Sequence, residues 1–144
     1  MPDFQSAYRC LDCKRCFKKN PLFQLLKDEE LDYLNDHRLE VNFREKEIIF
    51  KQGSPLNHLV ILNTGLAKIY IEGPTGRNLI INYSTPYEIN VSPGMYVDLR
   101  HHCTMMAQVE LGACFIEVNA FKEVLRWNTT FAESFFGDFS KRVL

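Results

Sequence analysis

The chain has 144 residues, 17 basic against 18 acidic side chains, and a formal net charge of −1. That length suits one domain with a real hydrophobic core, and Leu, Ile, Val and Phe at about 30 % of the residues exclude intrinsic disorder. Balanced charge argues against a surface that grips nucleic acid or anionic lipid everywhere. No apolar run approaches the ~18 residues of a membrane span, and the opening MPDFQSAYRC lacks the layout of a signal peptide. The expectation is a cytoplasmic protein without membrane contact.

Residues 1–19 read as a polar, basic, cysteine-rich arm without apolar periodicity. Asn20-Pro21 opens a helical stretch, with Asn as cap and Pro in the first turn. A second start follows at Asp28, where Glu29 and Glu30 favour the positive end of the helix dipole. Residues 21–37 therefore read as one broken helix or two short ones. From Leu39 the period switches to two: Leu39 to Phe43, Ile48 to Phe50, His58 to Leu62, Leu66 to Ile71 and Asn78 to Tyr83 read as strands. Turn signals at Gly53, Asn63-Thr64-Gly65 and Gly73-Pro74-Thr75-Gly76 separate them. Residues 84–102 hold no clear element; strands resume at Thr104 to Val109 and Ala113 to Val118. Short strands at close intervals predict a jelly-roll or barrel, a mainly β domain over 20–127 with flanking helices.

The end turns helical. Asn119 is the expected cap of a short helix carrying Phe121, Val124 and Leu125, with Trp127 packed between it and the next. Thr130 and Glu133 fit a capping box, so 128–144 reads as the start of a long helix with a stripe of Ala132, Phe136, Phe139 and Val143. An apolar stripe on so short a helix predicts that something further packs on it.

Cysteine usage carries the first functional signal. Of Cys10, Cys13, Cys16, Cys103 and Cys114, three fall within seven residues. That spacing cannot build an ordinary disulfide framework, but it lets thiolates converge on one metal centre. Lys14, Arg15, Lys18 and Lys19 would favour thiolates and offset an anionic centre. Where a ferredoxin-type run has its fourth cysteine this chain has Asn20, so three local thiolates leave a four-ligand site one short, with Cys114 and Cys103 the remaining cysteines of the chain. Zinc and an iron–sulfur cluster both suit such a set.

Enzyme readings lack support: there is no GxSxG elbow, phosphate-binding P-loop or HExxH stretch. Asp28, Glu29, Glu30 and Asp32 read as a solvated helix start, His37 and His58 as surface residues at element ends, and His101-His102-Cys103 as a polar loop. In that loop His101 and Cys103 share a face that His102 does not.

Ile48-Ile49-Phe50-Lys51-Gln52-Gly53, followed by Leu59-Val60-Ile61-Leu62-Asn63-Thr64-Gly65-Leu66-Ala67-Lys68, resembles the paired-glycine signature of the CRP/FNR family of bacterial transcription regulators. Cys114 to Phe121 is similar to that family's last roll strand entering its short helix. The resemblance, over roughly residues 20–144, implies a cyclic-nucleotide-binding-type double-stranded β-helix that senses an effector. It also implies a homodimer through the C-terminal helix, and DNA contact only through a helix-turn-helix domain absent from this chain. Family members that bind cyclic AMP carry a glutamate and an Arg-Ser or Arg-Thr pair. Here Asn90 or Val91 stands for the glutamate, Cys103 replaces the arginine, and Thr104 keeps the hydroxyl, with Arg100 nearby. Asn90, Arg100, Cys103 and Thr104 are thus the expected effector-pocket residues, and cyclic AMP is not the expected effector. The oxygen-sensing branch of the family implies instead an iron–sulfur cluster on Cys10, Cys13, Cys16 and Cys114, ahead of zinc. A small organic ligand in the pocket is the alternative, and a cupin-like roll-fold enzyme a further one.

Overall fold

The computed structural model describes residues 17–90 and 93–143. Seven strands form two antiparallel sheets: β1 (Arg38–Phe43), β2 (Ile48–Phe50), β3 (His58–Thr64), β4 (Ala67–Glu72), β5 (Asn78–Ser84), β6 (Thr104–Ala107) and β7 (Leu111–Glu117). One sheet runs β1-β7-β3 and the other β2-β6-β4-β5, the two walls of the expected jelly-roll. Helices α1 (Asp28–Asp36), α2 (Val118–Trp127) and α3 (Thr129–Val143) pack outside it, after a 3₁₀ turn at Pro21–Leu25. The stretch 21–37 is therefore two short elements. Asn20 caps the first through its side-chain oxygen, which accepts from the Leu22 amide at 2.8 Å.

Period-two alternation divides the buried side chains into two cores. From β3 and β7, Leu59, Ile61, Cys114 and Ile116 face the helices and join Phe17, Phe23, Leu31, Leu34, Phe121, Phe131 and Phe135. Val60, Leu62, Leu111 and Ala113 face into the roll with Ile49, Ala67, Ile69, Met105 and Ala107. The glycine signature has the mechanical role expected of it. Gly53 and Gly65 adopt φ of 86° and 91°, and a Cβ on Gly65 would meet Leu111 Cβ at 2.5 Å. The turn between β3 and β4 closes onto β7 only because that side chain is missing.

Three local expectations are corrected. Helix α2 starts at Val118 with no side-chain cap, so Asn119 lies inside it. Helix α3 is capped by Asn128 rather than Thr130: its Oδ1 accepts from the Phe131 amide at 2.9 Å. The same side chain donates to Leu25 O and Glu30 Oε1, each at 3.0 Å, which ties the helical hairpin to the start of the fold. Trp127 lies against Tyr33 of α1, ring centroids 4.8 Å apart, and stays half exposed. On α3 it is Phe131 and Phe135 that enter the core, while Phe136 of the predicted stripe remains 46 % exposed. Among the described residues, no helix is long and apolar enough to cross a membrane.

Candidate functional site

Strand β2 ends at Phe50, and the chain turns at Gly53 to reach β3. This turn pairs with the segment before β6: Gly53 N donates to His101 O at 2.7 Å, His101 N to Ser54 O at 2.9 Å, and Leu56 N to Leu99 O at 2.8 Å. The pairing carries the His101 ring into the end of the roll, where it stacks on Phe50 at 3.9 Å with 11° between planes. Burial, and secondarily the charge of His102, lowers the His101 pKa to about 4. Its imidazole is thus neutral at ordinary pH. His101 is only 6 % exposed, and its Nδ1 is buried without a hydrogen-bond partner. Such an orphan costs about 1–3 kcal/mol.

Beside this ring lies a cavity of about 200 Å³, lined by Ile49, Phe50, Val60, His58, His101 and Phe115, with Asn57 and the 54–55 turn at its rim. His58, half-buried at the start of β3, forms one wall. A neighbouring cleft of about 310 Å³ shares Asn57 and His58 and continues past Leu99 to Glu117 and Asn119. Together the two reach the size range of ligand sites, about 300–1,000 Å³.

Asn90, Arg100, Cys103 and Thr104 line neither cavity. The Asn90 side chain donates to Ser84 Oγ at 2.7 Å and Val60 O at 3.1 Å, pinning its loop to β3. Arg100 is exposed and donates to Gly53 O at 2.8 Å. Thr104 accepts from Gln52 N at 2.9 Å and donates to Glu72. Glu72 also takes the Lys51 ammonium at 2.8 Å. The hydrogen bond from Lys51, then that from Thr104, holds the Glu72 carboxyl below its usual range. His102 faces outward to Asp98 at 3.0 Å, while His101 faces in. The sequence marked His101 only by its alternation with His102; no periodicity in 84–102 foretold the cavity.

The cysteines separate by compartment. Cys10, Cys13 and Cys16 lie outside the described residues. Cys114 is buried on the helix side of β7 in the cluster that holds Phe17, the residue bonded to Cys16. Cys103 packs against the roll interior, where burial raises its thiol pKa and so disfavours the thiolate a metal requires. Among the described residues, no three His, Cys, Asp or Glu side chains are grouped to hold a metal. A four-ligand centre including Cys114 must therefore draw its other thiolates from the arm.

The fold is a jelly-roll with glycine turns, and residues 40–128 match the model of the cyclic nucleotide-binding domain. The chain belongs to that family. Among solved structures it is similar to the sensor domain of the transcriptional regulator DNR from Pseudomonas aeruginosa, at 24 % identity and a TM-score of 0.82, covering 90 % of this chain and 87 % of that one. It also resembles the N-terminal domain of a transcriptional regulator from Streptomyces coelicolor A3(2), at 21 % identity and a TM-score of 0.67, with 89 % and 90 % covered. Against a longer DNR chain the identity is 22 % and the TM-score 0.78, and the match spans 96 % of this chain but 61 % of that one. A comparison with curated protein sequences finds no match.

Proposed function

We propose that the chain is the effector-sensing domain of a CRP/FNR-like bacterial transcription regulator whose signal is redox state or oxygen. In this reading Cys10, Cys13, Cys16 and Cys114 hold an iron–sulfur cluster. The supporting observation is that Cys114 and Phe17 are both buried in the core on the helix side of the sheet, Phe17 being the residue that follows Cys16 in the chain. Cysteine thiolates on the basic arm suit an anionic cluster, and such a cluster, when bound, supplies sensitivity to oxidants.

The protein's own part is the relay. Phe17 stacks on Phe23 at 5.1 Å, and Phe23 meets Phe131 of α3 at 5.8 Å. A change in how the arm is held thus reaches α3 through three rings in contact. Helix α3 presents Phe136 outward, and a second copy packed there would make a homodimer whose stability follows the arm. DNA contact would then fall to a separate domain, outside this chain.

The test is anaerobic purification with an absorbance spectrum and iron, sulfide and zinc analysis. Iron and sulfide together are expected, lost more than tenfold in Cys13→Ala and Cys114→Ala and retained in Cys103→Ala. Zinc alone would make the arm a structural clasp, and a folded sample that takes up neither metal on anaerobic reconstitution would overturn the proposal. The second reading, a small organic effector, is favoured by one observation: the cavity beside the unpartnered His101 nitrogen.

A further inference from the structure

Strand β5 forms one edge of the β2-β6-β4-β5 sheet. Every residue from Asn78 to Tyr83 is exposed, with Leu79 at 64 %, Ile80 at 46 %, Ile81 at 50 % and Tyr83 at 44 %. We infer that this edge is a self-association surface. On it, β5 of a second copy lies antiparallel about a two-fold axis through Ile80 and joins the two four-stranded sheets into one. The inference rests neither on the cysteine centre nor on the α3 contact of the proposed homodimer.

An edge strand offers a row of backbone N–H and C=O groups to any strand that can lie beside it, and natural edges are guarded against this by charge, proline or an irregularity. Among the described residues, β4 is the one strand paired with β5. From Asn78 to Ser84 there is no Asp, Glu, Lys, Arg or Pro. The one irregularity is Ile81, an extra residue in the pairing with β4, which adds twist without adding charge. The exposed apolar surface continues onto β4 at Ile71, the register partner of Leu79. An apolar edge so little guarded marks a place where another chain packs.

The order of the side chains selects a second copy as that chain. Asn78-Leu79-Ile80-Ile81-Asn82 reads alike in polarity and size from either end. An antiparallel pair centred on Ile80 therefore sets Ile80 against Ile80, Leu79 against Ile81 and Asn78 against Asn82, apolar on apolar and amide on amide. One step further out, the exposed Arg77 falls opposite Tyr83 at both ends, a guanidinium beside an aromatic ring. A shift of one residue in either direction sets Asn82 against Leu79 or Asn78 against Ile81, and it loses the match of Arg77 with Tyr83. One strand from each copy makes a small interface, at the weak end of specific association.

The experiment is analytical ultracentrifugation of the full chain over a dilution series, with amide NMR spectra at the same concentrations. A reversible dimer is expected, with concentration-dependent shifts at Asn78 to Tyr83. Ile80→Lys sets like charges across the axis and should raise the dissociation constant at least about tenfold, as should Ile80→Glu. An equimolar mixture of the two variants should recover assembly to within about tenfold of wild type. Ile80 is exposed, so neither change disturbs a core. Phe136→Ser, on α3, should leave the β5 shifts in place. A wild-type chain that stays monomeric up to about 1 mM, shifts that avoid β5, undiminished assembly of Ile80→Lys, or a mixture no tighter than either variant alone would each overturn the inference. Since no metal is read and Phe136→Ser reports on α3 separately, failure here leaves the proposed function standing, and a chain that takes up no metal leaves this inference untouched.

Discussion

On the helix side of the β1-β7-β3 sheet, Phe17, Phe23, Phe121, Phe131 and Phe135 are each at most 4 % exposed and touch ring to ring. On the roll side the filling is mostly aliphatic, with Ala67, Ala107 and Ala113 among its members, and its Ile49 and Val60 border the cavity at the β2–β3 end. One sheet thus separates a welded core from an open one. Large interlocking rings transmit displacement because they have no room to absorb it. A cavity walled by Ile49, Phe50, Val60, Phe115 and two imidazoles has room to accept a guest. The division suits a sensor: input on the yielding side, output on the stiff one.

Substitutions at three positions test this division, in falling order of effect. Phe131→Ala removes a fully buried ring that meets Phe23, Phe121 and Phe135 at 5.8, 5.8 and 6.4 Å. Urea denaturation should register a loss of about 3–5 kcal/mol, and a loss under 1 kcal/mol would mean that the helix side is no stiffer than the roll. A smaller effect is expected from acid. The folded His101 pKa of about 4 lies below the ~6.5 of an unfolded histidine, so protons favour the unfolded chain between those values. Its contribution is full above about pH 6.5 and falls by on the order of 1–3 kcal/mol as pH drops through 4. His101→Phe should flatten that part of a stability-against-pH curve; an unchanged curve would place the acid sensitivity elsewhere. Smallest is the seam between the helical hairpin and the start of the fold, where Asn128→Ala should cost about 1–2 kcal/mol through the lost cap. Asn128→Asp should restore the cap yet stay below wild type, because its carboxylate faces Glu30, and equal stability of Asp and Asn would remove Glu30 from the account.

Much of the roll was legible because strand period and burial agree. Leu59 and Ile61 alternate with Val60 and Leu62, and each pair enters its own core. Gly53 and Gly65 were legible because only backbone conformation and close approach are involved. The caps were less so. Thr130 with Glu133 is the better local pattern, yet Asn128 wins because its amide also reaches Leu25 O and Glu30, partners about a hundred residues earlier in the chain. The buried face of α3 is decided by tertiary contact: Phe131 and Phe136 are equally apolar, and the rings of Phe23 and Phe121 bury the first. Asn90 and Thr104, expected in the effector pocket, line neither cavity, and their hydrogen bonds run to Ser84, Val60, Gln52 and Glu72. The cavity's own polar groups, His58 and His101, sit at a strand end and in a loop, where no periodicity exists to read.

Strand β7 lies between β1 and β3, paired with β1 from Leu111 to Ile116 and with β3 from Gly112 to Glu117. Since alternate residues serve alternate compartments, sliding the strand by one position would hand the Cys114 thiol to the roll and the Phe115 ring to the helices. It would also break the ladder on both sides at once. Insertions or deletions in the short turn at 108–110 are therefore taken up within the turn and do not pass into the strand. The compartment that owns the thiol is fixed by the neighbours of β7, and the loop before it is free to change length without moving the thiol from one side of the sheet to the other.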